Sequence, residues 1–254
     1  MLSPSTSSFV VFTASLIMTH AVCAFAPVEA DPGRVRSVEA DRWAEDADRP
    51  FFWDGAASEA YRWRAGLHYF QGTTSDFGEV LTGQGDLISQ NGVRASLGYV
   101  FIKQLWGYPI EVIGEGGLMW HNEQGAQSDV WQSTLAFKIA WTKFPWDEHL
   151  RTRLAAAEGF SYVSHIPQTE KLNRGSNTSK HFLNYLEASL AFNCGDIFRI
   201  LSFSHEETPE LDRSWLMISV PHRSGAWGLY GRDNDGEAIK GGSSYLALGI
   251  EYEF

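Results

Sequence analysis

Cysteine is nearly absent, with 2 in 254 residues, so no disulfide framework can hold the fold together. Cys23 and Cys194 form no C-x-x-C pair and the chain contains no H-E-x-x-H, so the spacings that hold zinc are missing. No metal and no organic cofactor is expected. Basic residues are also scarce: 20 Lys and Arg stand against 31 Asp and Glu, a net charge of -11. That balance repels a phosphate backbone and argues against a nucleic-acid partner. Beyond the N-terminus no apolar run is long enough for a membrane-spanning helix. Aromatic residues, by contrast, are plentiful. The chain has 10 Trp, 9 Tyr and 16 Phe, too many for a disordered protein, yet its mean hydropathy is only -0.22. A polar average carrying so many rings arises when one side of each strand faces lipid and the other faces water.

Residues Phe9 to Ala26 (FVVFTASLIMTHAVCAFA) are mostly apolar and end in small residues. They read as the core and cleavage region of a secretory signal peptide spanning 1–26. The residues before Cys23 lack the leucine of a lipoprotein signal. Residues 27–59 are acidic and punctuated by proline, without a strand period, and read as a periplasmic segment preceding a barrel over 60–254.

From there the period is two. Tyr61, Trp63, Leu67 and Tyr69 alternate with Arg62, Arg64 and His68; Trp131, Leu135, Phe137 and Ile139 alternate with Gln132, Thr134 and Lys138. A polar lumen accepts those charges, whereas a small dry core does not. Similar stretches at 93–101, 110–120, 150–163, 182–193, 213–223 and 243–254 complete eight strands of bilayer-crossing length. The fold class expected is all-β, an antiparallel transmembrane up-and-down barrel of eight strands, with ten as the alternative because 197–204 forms a weak ninth segment. The links alternate in length. Those at 70–92, 121–129, 164–181 and 224–242 are long, while 105–108 and 142–149 are short, as outer-membrane barrels require of their outside and inside ends. The remaining inside link, 194–212, is too long for a simple turn and holds either a hairpin or a surface helix. Trp106, Trp120, Trp141 and Trp146 fall near strand ends and read as an interfacial belt. The last strand places Ser244, Leu246, Leu248, Ile250, Tyr252 and Phe254 on one face, and the terminal aromatic resembles the signal read by the bacterial outer-membrane assembly machinery. The location expected is therefore the bacterial outer membrane.

The penultimate strand carries the candidate chemistry. Leu216, Ile218, Val220, His222 and Ser224 share a side by parity, which puts a histidine and a serine on the lipid face at the outer end of the strand, roughly 6.5–7 Å apart at Cα. A base beside a hydroxyl is the minimal pair for nucleophilic ester hydrolysis, and a site there suits a substrate that is itself a membrane lipid. The plainer reading is a pair of interface residues bonded to headgroups or loop backbone. Arg223 points into the lumen by parity and reads as a solvated or ion-paired charge. Ser164 and His165 are adjacent and point to opposite faces. His205, Glu206 and Glu207 lack a third ligand for a metal. Asn177-Thr178-Ser179 has the glycosylation pattern, which has no meaning in a bacterial cell.

The stretches PHRSGAWGLYG and GGSSYLALGIEYEF resemble the C-terminal end of PagL-type lipid A 3-O-deacylases, best over 213–254, with a weaker likeness at YPIEVIGEGGLMW (108–120). The resemblance implies an eight-stranded outer-membrane barrel whose His222 and Ser224 act as base and nucleophile on an ester-linked acyl chain of outer-leaflet lipid A. It also implies two departures. The family glutamate that orients the histidine falls at Ser244, which cannot stabilise an imidazolium by charge, with Glu237 in the preceding loop as a substitute acid. The asparagine that follows the family serine is replaced by Gly225. Two readings compete: a serine ester hydrolase acting on lipopolysaccharide, and a non-catalytic barrel with a structural or surface-interaction role. A narrow pore is a third, disfavoured because side chains fill an eight-stranded interior.

Overall fold

The computed structural model describes residues 61–174, 179–202, 209–225 and 242–254. The apolar leader, the acidic segment 27–59, Asn177-Thr178, His205 to Glu207 and Glu237 lie outside the described residues. Eight strands, β1 (Trp63–Thr73), β2 (Leu87–Ile102), β3 (Ile110–Asn122), β4 (Val130–Trp141), β5 (Thr152–Val163), β6 (Phe182–Asn193), β7 (Ser214–Ser224) and β8 (Gly242–Glu253), pair antiparallel in sequence order and close into a barrel. Closure joins β8 to β1, with Leu67 opposite Ile250 and Tyr69 opposite Leu248. The ten-stranded alternative is overturned, since residues 194–202 of the long inside link form a helix.

The strands are inside-out relative to a water-soluble protein. On β4 Leu135 is 66% and Phe137 69% exposed, while Gln132, Thr134 and Lys138 on the alternate phase are buried. The exterior is continuous in aliphatic and aromatic side chains, including Leu67, Tyr69, Leu97, Leu118, Phe160, Leu248 and Ile250. Glu158 interrupts it, outward-facing and exposed in the middle of β5. One rim, called lower here, carries the short links. Its β2–β3 turn is a two-residue one in which Leu105 bridges Tyr108, and Trp106 and Gly107 take φ of 54° and 77°, the left-handed pair that matches strand twist.

The lumen is packed by ion pairs in layers. Arg94 binds Glu115 and Glu187, and Lys138 binds the same two carboxylates at 2.7 and 3.1 Å. Nearer the lower rim Arg64 meets Glu111 at 2.6 Å, and Arg153 meets Glu251 at 2.5 Å and Glu253 at 2.8 Å. Loss of one member of such a layer leaves a buried charge unbalanced, at a cost of about 3–5 kcal/mol. Packing is tight enough that Gly249 admits no side chain: a Cβ there would lie 1.9 Å from the His68 ring.

The upper links fold back on the barrel. The β1–β2 link contains helix α1 (Phe77–Leu81), which lies against β7 and β8. The β5–β6 link contains α2 (Gln168–Arg174). Its Glu170 is fully buried in the barrel mouth, paired with Arg223 and hydrogen-bonded by Ser243 at 3.3 Å, and Thr169 meets the Tyr245 hydroxyl at 3.0 Å. At the lower rim α3 (Cys194–Ser202) and α4 (Pro209–Asp212) lie between β6 and β7.

Candidate active site on the outer face of β7

Strand parity places the β7 residues as expected: Leu216, Ile218, Val220, His222 and Ser224 lie outward, and Arg223 is buried in the lumen. Arg223 is an ion-paired charge, bound to Glu170 and donating through Nε to Ser161 Oγ at 2.8 Å. Pro221 has no N–H for the ladder; β7–β8 pairing runs from Ser214 to Ser219 and resumes at His222, opposite Ser244.

That register brings the two side chains together. His222 Nδ1 and Ser244 Oγ are 3.0 Å apart. With the proton on Nδ1 the imidazole donates to Ser244, which makes Nε2 the basic nitrogen of the ring. Ser224, one outward position further up, faces Gly242 on β8. A Cβ at Gly242 would lie 2.5 Å from the Arg223 carbonyl oxygen and 3.5 Å from His222 Cε1. The ring therefore leans toward the Ser224–Gly242 row, and the glycine places no side chain opposite Ser224.

On the other side Ser224 is register partner to Asn184 of β6. Directly opposed residues hold their Cβ atoms roughly 4.5–5.5 Å apart. Asn184 is buried although it faces outward, and the register sets it directly opposite Ser224. Nothing in the sequence reading singled it out. The available signal was its place on an apolar face between Phe182 and Leu186, but only the β6–β7 register reveals what it stands next to.

The site is sheltered. The Phe77 ring of α1 lies 5.3 Å from the His222 ring, tilted by 41°. Val220, one outward position below His222, is only 1% exposed.

The other candidates fall elsewhere. Gly225 is buried just past the end of β7, and Glu237 is outside the described residues. Ser164 and His165 do touch, with Oγ and Nδ1 3.2 Å apart, because β5 ends at Val163 and strand parity stops with it. Ser164 Oγ also accepts the Trp131 N–H at 3.0 Å, which ties it to the β4 backbone. Trp106 and Trp141 are exposed near the lower rim. Trp146 instead stacks on Phe144 and donates to Thr152 Oγ1 at 2.8 Å, closing the β4–β5 link.

No protein-family profile and no curated protein matches the sequence. Among solved structures, the chain is similar to the outer-membrane enzyme PagL (10% identity over 75% of this chain and 99% of that one, TM-score 0.48). It is also similar to Neisserial surface protein A, NspA (13%, 78% and 100%, TM-score 0.42). Ail, the attachment invasion locus protein of Yersinia pestis, follows (14%, 77% and 99%, TM-score 0.35).

Proposed function

We propose that the chain is an outer-membrane esterase that removes an ester-linked acyl chain from lipid A. The observation that carries this reading is the pairing of His222 Nδ1 with Ser244 on the same outward face as Ser224. The apolar exterior, the signal-like leader and the exposed terminal Phe254 support residence in the outer membrane and recognition by its assembly machinery. With the long links outside, the site lies at the level of the outer leaflet. The lipid A substrate rests on the resemblance of 213–254 to PagL-type deacylases.

His222 Nε2 takes the proton of Ser224 Oγ as that oxygen attacks the ester carbonyl carbon. The Asn184 amide donates to the oxyanion, the role of the asparagine that Gly225 displaces. Collapse breaks the acyl carbon–oxygen bond, and the departing sugar hydroxyl recovers the proton from His222. Water, deprotonated by the same imidazole, then attacks the acyl-serine, releases the fatty acid and restores Ser224. The Phe77 ring beside His222 gives the site an apolar flank suited to an acyl chain.

A serine-directed alkyl fluorophosphonate tests the nucleophile without assuming a substrate. Peptide mass spectrometry is expected to find the adduct on Ser224, at least about tenfold diminished in His222→Ala. An unlabelled Ser224 in a folded barrel contradicts the proposal. The non-catalytic reading is favoured by one observation, a serine where a triad needs an acid, and it predicts no adduct.

A further inference from the structure

The lower rim carries a feature that catalysis does not use. Helix α3 starts directly where β6 ends: Asn193 Oδ1 accepts the Asp196 N–H at 3.2 Å, an N-cap that begins the helix at the strand terminus. Its polar side is tied to the rim. Arg151 donates to Asp196 Oδ2 through both Nε and its backbone N–H, each at 2.8 Å, and pairs with Asp212 at 2.5 Å; Arg199 bonds Asp196 and reaches Asp212 at 3.1 Å. Burial alone would raise the Asp196 carboxyl, but the Arg151 hydrogen bonds and charge hold it below the usual range. The helix therefore has one fixed roll.

Arg151 also lines the cavity of about 390 Å³ at the lower mouth of the lumen, with Arg64, Arg153 and Trp215. The polar side of α3 thus faces the mouth. At 100° per residue Ile197, Phe198 and Leu201 occupy the opposite arc, with Ile200 on the flank one turn from Asp196, and Phe198, Ile200 and Leu201 are 45%, 50% and 73% exposed. This arc turns away from the barrel axis at the level where Trp106, Tyr108 and Trp141 lie exposed around the same rim.

From this we infer that α3 is a membrane-interface helix, its apolar arc embedded among the acyl chains of the periplasmic leaflet and its Asp196–Arg199 side clamped to the barrel. An amphipathic helix lying in the interface plane buries one face roughly 5–10 Å into the headgroup boundary. Here it extends the apolar belt of the barrel outward beneath β6 and β7. The inference rests on the membrane reading of the barrel.

An environment-sensitive fluorophore separates the two. In a Cys23→Ala, Cys194→Ala background, single cysteines at Leu201→Cys, Leu135→Cys on the outer face of β4, and Glu210→Cys on α4 are labelled with a nitrobenzoxadiazole dye. The full barrel is then reconstituted in phosphatidylcholine vesicles. The label at 201 is expected to show blue-shifted emission and at least about twofold quenching by lipid carrying a doxyl group near its carbonyl, with less from a doxyl at the chain end. The label at 210 reports water. A label at 201 that behaves like 210 while 135 is quenched overturns the inference and leaves the barrel reading intact. If 135 also reports water, the membrane reading itself fails.

Discussion

Replacing Ser244 by glutamate is expected to raise the rate of ester hydrolysis by roughly 10²–10⁴-fold, the span by which loss of the acidic member weakens a serine triad. Ser244 holds the His222 ring through a neutral hydrogen bond of 3.0 Å. That bond fixes orientation and tautomer. It does nothing for the positive charge that, in the proposed mechanism, develops on the imidazole as Ser224 gives up its proton. A carboxylate in register with His222 supplies both, and Ser244 is buried, so the charge acts with little screening. The same substitution stabilises protonated His222, which moves the acidic limb of the pH–rate profile to higher pH. Hydrolysis of a chromogenic long-chain ester in detergent micelles measures both effects, with Ser244→Asp as a shorter variant should glutamate not fit. A rate that stays at the parent value in a folded Ser244→Glu barrel means that His222 is not the base.

Asn184→Ala is expected to lower the same rate by about 10²–10³-fold, the cost of one oxyanion donor, with KM little changed because the bond strengthens only as the carbonyl oxygen becomes an oxyanion. The expectation follows from register: Asn184 and Ser224 are directly opposed on β6 and β7, both outward. Asn184→Asp keeps the shape but presents a carboxylate to the developing negative charge, and it is expected to be at least as damaging. An Asn184→Ala enzyme that loses affinity and keeps its turnover would place the side chain in substrate binding instead.

The barrel was legible in the sequence because parity repeats. Arg94, Glu115, Lys138 and Glu187 fall on the inward phase of their strands, and they meet as one ion-paired layer. The same rule placed His222 and Ser224 outward and Arg223 inward. It left two readings open where a short apolar run fits two periods. Ile197, Phe198, Ile200 and Leu201 suit a weak strand as well as the helix they form, and the Asn193 cap was overlooked. Helix α1 was also missed, although Asp76 and Glu79 frame it, with the Glu79 carboxylate accepting the Asp76 N–H at 3.0 Å. Its consequence, Phe77 over His222, depends on how a link folds back and has no periodic signature. Register is the other hidden variable: the family resemblance pointed to Ser244, which the register sets opposite His222, but no count along one strand reveals Asn184 opposite Ser224.

The most direct test of catalysis is the mass of lipid A after incubation of purified lipopolysaccharide with the refolded barrel, run beside Ser224→Ala. Catalysis is expected to shift lipid A in the parent sample down by one ester-linked acyl chain and release the matching fatty acid, and Ser224→Ala is expected to leave both unchanged. Intact lipid A in both samples, with the barrel folded, or the same loss in both, would contradict it.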